Sequence, residues 1–201
     1  MMKHTATGLF VLSLAGVASA GLPQAVFDFE EADLQQGADP VTFFRGDQSL
    51  TLTPDLGVAV FEPGVGYPAS WGSRSIDATL RPGLSLLMTF SPGITGVTFE
   101  FGSTGSNPAT VLIEALGFND EVLFGSVATL DNQLSQGAEP FDYFFSFLAP
   151  TDGLRGIRFT GLGDGSAFLA LDNVTLTIPG PSGLGVLAAA GVLSVRRRRS
   201  S

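Results

Sequence analysis

The chain has 201 residues, a formal net charge of −9 and no cysteine. Lacking cysteine, it has no disulfide, no thiol nucleophile and no thiolate metal site. Its single histidine, His4, and single lysine, Lys3, stand at the N-terminus, which leaves the rest without a Ser-His-Asp triad or a histidine zinc site.

Residues 1–20 carry a short basic start at Lys3 and His4, an apolar core from Leu9 to Val17, and the small residues Ala18-Ser19-Ala20. That order is the pattern of a secretory signal peptide, with cleavage by signal peptidase expected after Ala20. The following span, Gly21 to Thr177, has 157 residues, enough for one domain with its own core. It holds all 19 acidic residues against five arginines, a formal charge of −14. Such an excess repels a phosphate backbone, so no nucleic-acid partner is expected.

Short runs rich in Val, Phe and Thr follow one another along this domain. Val26–Glu30, Val41–Arg45, Ser49–Thr53, Val58–Glu62 and Ser75–Leu80 alternate in polarity and read as strands. Thr53-Pro54-Asp55, Glu62-Pro63-Gly64 and Arg81-Pro82-Gly83 punctuate them as turns. Ser85–Phe90, Gly96–Phe101, Thr110–Leu116, Glu121–Thr129, Phe141–Leu148, Arg155–Thr160 and Ala167–Thr177 continue the series. Asp33–Ala38 and Leu130–Gly137 read as turns, since neither offers an apolar stripe long enough for a packed helix. In Phe141–Phe147 both faces of the strand are partly apolar, which predicts a central position in a sheet. The fold class expected is all-β, an antiparallel jelly-roll-like β-sandwich.

The chain closes on Ile178–Ser201, where Pro179-Gly180-Pro181 precedes the uncharged run Leu184–Val195 and the cluster Arg196, Arg197, Arg198 and Arg199. As a helix the uncharged run would be roughly 18 Å long, short of the roughly 30 Å hydrocarbon core of a bilayer. The arginines favour the cytoplasmic side, placing the domain outside. This tail resembles the tripartite sorting signal of PEP-CTERM proteins, with Gly180 where a glutamate is usual. The resemblance implies recognition by an exosortase-type membrane protease, cleavage near Pro179–Pro181, and a destination in the cell envelope or extracellular polysaccharide matrix. The alternative is an ordinary tail anchor. Phe27-Asp28-Phe29-Glu30-Glu31 and Leu169-Ala170-Leu171-Asp172-Asn173-Val174 resemble the opening and closing strands of MAM-type and carbohydrate-binding-module jelly rolls.

Several residues are candidates for a site. First and last strands of a jelly roll are commonly neighbours, so Glu30 or Glu31 could meet Asp172 or Asn173 and offer the oxygen ligands that calcium takes; the competing reading is a strand turn with solvated acids. Gly64–Arg74 is a glycine-rich loop with the single tryptophan, Trp71, one of two tyrosines, Tyr67, and Arg74, a set that could stack on and hydrogen-bond to a sugar. The competing reading is that these aromatics fold back over the core. Arg45-Gly46-Asp47 matches an adhesion tripeptide but falls where a turn is expected. Glu100, Glu114 and Asp142 are the carboxylates a glycosidase would draw on. The leading expectation is a non-catalytic exported protein of the envelope or matrix with a structural or adhesive role. A carbohydrate-binding module for extracellular polysaccharide is the alternative, and a glycosidase the further one.

Overall fold

The structure is a computed structural model describing residues 23–33, 35–38, 40–62, 72–103, 109–130, 143–149, 153–162 and 167–179. Its strands are β1 (Gln24–Phe27), β2 (Gln35–Ala38), β3 (Val41–Arg45), β4 (Gln48–Pro54), β5 (Val58–Phe61), β6 (Ser75–Leu80), β7 (Ser85–Ile94), β8 (Gly96–Ser103), β9 (Ala109–Leu116), β10 (Val122–Leu130), β11 (Tyr143–Leu148), β12 (Leu154–Leu162) and β13 (Ala167–Thr177). They form two antiparallel sheets. The first runs β11-β8-β13-β6-β5-β2 with β1 also against β13, and the second runs β10-β9-β12-β7-β4-β3. The fold is therefore the all-β sandwich that the alternating runs predict, and the first strand does lie beside the last.

Alternation builds the core. Ile76, Ala78 and Leu80 of β6, Val97, Phe99 and Phe101 of β8, and Leu169 and Leu171 of β13 point inward from the first sheet. Leu50, Leu52, Leu86, Met88, Ile113, Ile157 and Phe159 meet them from the second. Phe99 sits at the centre, stacked on Phe145 at 4.8 Å and edge-on to Phe159 at 5.5 Å. Such pairs add about 1 kcal/mol each beyond the area they bury.

Three expectations change. The opening strand ends at Phe27 because Phe29 adopts a left-handed backbone with φ 57°, yet its ring is buried and meets Phe43 edge-on at 4.9 Å. Residues Gln35–Ala38, expected as a turn, form a strand paired with β5. Its sequence shows no apolar alternation because a strand at the end of a sheet needs only backbone bonds from its one neighbour. Third, β11 is not central: among the described residues it ends the first sheet, with Phe145 buried inward and Phe144 left 64% exposed. The apolar residues on its two faces thus reflect a core face and an open aromatic, not double burial. Phe141 and Asp142 lie outside the described residues, as do residues 1–20, Tyr67, Trp71, and the tail from Gly180 through Arg196–Arg199.

Candidate functional site

The last strand changes partners midway. On one side β13 pairs with β8 from Leu169 to Thr177, whereas on the other Ala167–Leu171 pair with β6 and Val174–Thr177 with β1. At the changeover Asp172 lies opposite Glu100 and Thr175 opposite Thr98, so β13 carries one extra residue there. Asn173 absorbs it with φ 50°, a region asparagine enters more readily than most residues. Leu169 and Leu171 before the bulge and Val174 and Leu176 after it all face the core. Asp172 projects from the opposite face of the first sheet and is nevertheless fully buried.

Its carboxylate is held locally. The Ser75 hydroxyl donates to Asp172 Oδ2 at 2.7 Å, and the Asn173 backbone N–H donates to Oδ1 at 2.6 Å. Burial outweighs these bonds and, with the nearby Glu100 and Glu30 carboxylates adding to it, pushes the Asp172 carboxyl up to about 8. Asn173 Nδ2 donates in turn to Glu100 Oε2 at 3.2 Å.

Glu30 joins the end of β1 to the start of β6. It accepts from the Ser73 N–H at 2.7 Å, the Ser73 hydroxyl at 2.6 Å and the Arg74 N–H at 3.2 Å. The Ser73 hydroxyl bond, reinforced by these backbone donors, holds its carboxyl below the usual range. Gly72 belongs to the same latch: its φ is 58°, and a Cβ there would lie 2.0 Å from Glu30 Oε1.

The structure thus brings Glu30, Asp172 and Asn173 to one end of the first sheet, joined by Glu100. Glu31 turns elsewhere, to Arg45. The oxygens are of the hard kind calcium takes, but those of Glu30 and Asp172 already accept protein hydrogen bonds. Among the described residues no three acidic side chains gather closely enough to hold a metal. Arg74, proposed with Tyr67 and Trp71 for a sugar, donates to Glu62 Oε1 at 2.9 Å and to the Ser73 carbonyl. Arg45 of the adhesion-like tripeptide is bound to Asp28 and Glu31, and Gly46, with φ 59°, serves the tight β3–β4 turn.

No protein-family model matches the sequence, and no curated protein matches it. Among solved structures it is similar to the K1 cleaved adhesin domain of Lys-gingipain from Porphyromonas gingivalis W83, at 11% identity and a TM-score of 0.47 over 79% of this chain and 99% of that one. It is also similar to a family 61 carbohydrate-binding module in complex with β-1,4-galactotriose, at 10% identity and a TM-score of 0.44 over 65% and 88% of the two chains. A third is the family 11 carbohydrate-binding module of the cellulase Lic26A-Cel5E of Clostridium thermocellum, at 10% identity and a TM-score of 0.42 over 79% and 96%. Likenesses this slight carry no argument about chemistry.

Of the carboxylates a glycosidase would draw on, Glu100 and Glu114 separate, while Asp142 lies outside the described residues. Glu100 projects from the outer face of the first sheet, beside inward-facing Phe99 and Phe101. Glu114 projects from the outer face of the second, between inward-facing Ile113 and Ala115, and is bound by Arg158 at 2.7 Å. The whole core lies between them. Sequence reasoning missed Ser73, Ser75 and the Glu100–Asn173 bond. Nothing local marks Ser75 as the partner of a residue 97 positions away; the strand order alone makes them neighbours.

Proposed function

We propose that this chain is an exported, non-catalytic β-sandwich with a structural or adhesive role in the cell envelope or the surrounding matrix, processed by signal peptidase at Ala18–Ala20 and by an exosortase-type protease near Pro179–Pro181. The observation that carries the non-catalytic part is the placement of Glu100 and Glu114 on opposite outer faces. Hydrolysis of a glycosidic bond needs two carboxyl groups within about 10 Å on either side of one bond. Asp172, an acid beside Glu100, is buried and hydrogen-bonded instead of being presented to a substrate. Support for export comes from the tripartite N-terminus and the proline–apolar–arginine tail.

Polysaccharide binding is the second reading. It suits an acidic, aromatic-bearing sandwich outside the cell, although in its Tyr67–Trp71 form it loses Arg74 to Glu62. Fractionation of cells producing the chain tests the proposal. The protein is expected in the envelope or matrix fraction and without turnover on a polysaccharide panel. Recovery in the cytoplasm, or release of reducing ends that Glu100→Gln abolishes, would refute it.

A further inference from the structure

The domain's two termini leave from one place. The Ile178 N–H donates to the Pro23 carbonyl at 2.9 Å, and Gln24 pairs with Thr177, so β1 begins where β13 ends. Leu148, Gly96, Thr177 and Gln24 make the last rung of the first sheet at this end of the sandwich. In the β7–β8 turn, the Thr95 N–H donates to the Thr177 carbonyl at 2.9 Å, and the Thr95 carbonyl accepts from the Ala149 N–H at 2.8 Å. The β9–β10 turn reaches the same end. Its Gly117 N–H donates to the Glu121 carbonyl at 2.9 Å, and its Phe118 ring lies over Gly93 and Gly153, where an added Cβ would collide with it. Phe118 is 53% exposed and Leu148 61%.

Chain length ties this end to whatever holds the termini. Four residues separate Pro179 from the uncharged run 184–195, a tether of at most roughly 18 Å. The headgroup layer of a bilayer takes about 5–8 Å of that. On the other terminus two residues separate Ala20 from Pro23. A bilayer is flat and broader than the end of a sandwich, so side chains on both of its rims can meet one plane. Charge selects the lipid. Glu121 is exposed here and Asp120 is paired with Arg155, on a domain of charge −14, so an anionic surface repels it. Half-open Phe118 and Leu148 suit the interfacial layer of a zwitterionic surface. We infer that, while the tail is in the membrane, this end of the sandwich rests on the outer face of a zwitterionic bilayer. Phe118 and Leu148 enter its interfacial layer, and Pro179–Pro181 are held at the headgroups, within reach of a membrane protease. The inference rests on the proposed tail reading and adds to it the orientation of the domain.

The chain has no cysteine, so single thiols can be placed and labelled one at a time. Full chain carrying Phe118→Cys, Leu148→Cys, Leu162→Cys or Ala189→Cys, each bearing an environment-sensitive fluorophore, is reconstituted into phosphatidylcholine vesicles with a nitroxide on the lipid headgroup. Leu162 closes β12 eight residues beyond Leu154, which pairs with Ile94, and so stands roughly 26 Å farther along the strands. Labels at 118 and 148 are expected to be quenched several-fold more than the label at 162. Asn119→Cys serves at the same end if Phe118→Cys unfolds. Adding Leu148→Ser and Phe118→Ser to the Asn119→Cys chain is expected to remove most of its quenching. Equal quenching at 118, 148 and 162, or full quenching at 119 in the double serine variant, would overturn the inference. If 189 is quenched while 118 and 148 are not, this inference alone falls. An unquenched label at 189 would remove the tail reading and the inference with it.

Discussion

Replacing Asp172 with asparagine isolates the effect of a carboxyl buried in the fold. The carboxyl is buried, ionises at about 8 in the folded chain and is free to return toward 3.8 when the chain unfolds. Between those two values the folded state holds a proton that the unfolded state releases, so raising the pH weakens folding across this window. Stability from this group is full below about pH 4, falls progressively, and is gone above about pH 8; the whole change is on the order of 5 kcal/mol at most. Asparagine preserves the geometry of the neutral acid, because its amide can donate to the Ser75 hydroxyl and its oxygen can accept from the Asn173 N–H. Urea unfolding followed between pH 4 and pH 9 in the presence of a chelator measures the effect. Wild type is expected to lose stability steeply toward pH 8, and Asp172→Asn to follow a flatter curve and be the more stable protein at high pH. Parallel curves for the two proteins would refute the reasoning, since the pH dependence would then arise elsewhere among the acids.

Other outcomes follow from the packing. A Cβ on Gly156 would sit 2.5 Å from the Met88 carbonyl oxygen, whereas one on Gly46 would meet nothing within 4 Å. Gly156→Ala is therefore expected to cost about 3 kcal/mol and Gly46→Ala, which pays only for its left-handed backbone, about 1 kcal/mol; equal midpoints in urea would contradict this. Phe99→Ala, which removes the ring shared by Phe145 and Phe159, is expected to cost about 3–5 kcal/mol, read from the same denaturation curves. Removing calcium with EGTA at neutral pH is expected to leave the thermal midpoint unchanged, because the Glu30 and Asp172 oxygens are already hydrogen-bonded within the protein. A fall in midpoint would show that these carboxylates close around an ion.

Much of the sandwich was legible because β-structure writes its period directly into sequence: Ile-Asp-Ala-Thr-Leu, Ile76 to Leu80 of β6, alternates as its burial does. Glu30, Asp172 and Asn173 could be singled out from the two ends of the domain because first and last strands pair. Their partners could not, since Ser75 and Glu100 reach Asp172 only through the order of β6, β13 and β8. The edge position of β11 was hidden for a related reason. An aromatic run gives the same two-sided pattern whether the second face is covered by another layer or left open like Phe144. The setting of β3 was hidden too: Phe43 and Arg45 read as an ordinary strand end, and only the chain passing through Asp28, Phe29 and Glu31 supplies their partners.

The central claim is that this domain works outside the cytoplasm after both ends have been removed. The most direct measurement is the intact mass of the native protein isolated from the envelope or matrix fraction. The account predicts a chain that begins at Gly21 and ends near Pro179–Pro181, without Arg196–Arg199. A cytoplasmic protein that keeps both Lys3 and the terminal arginines would contradict it.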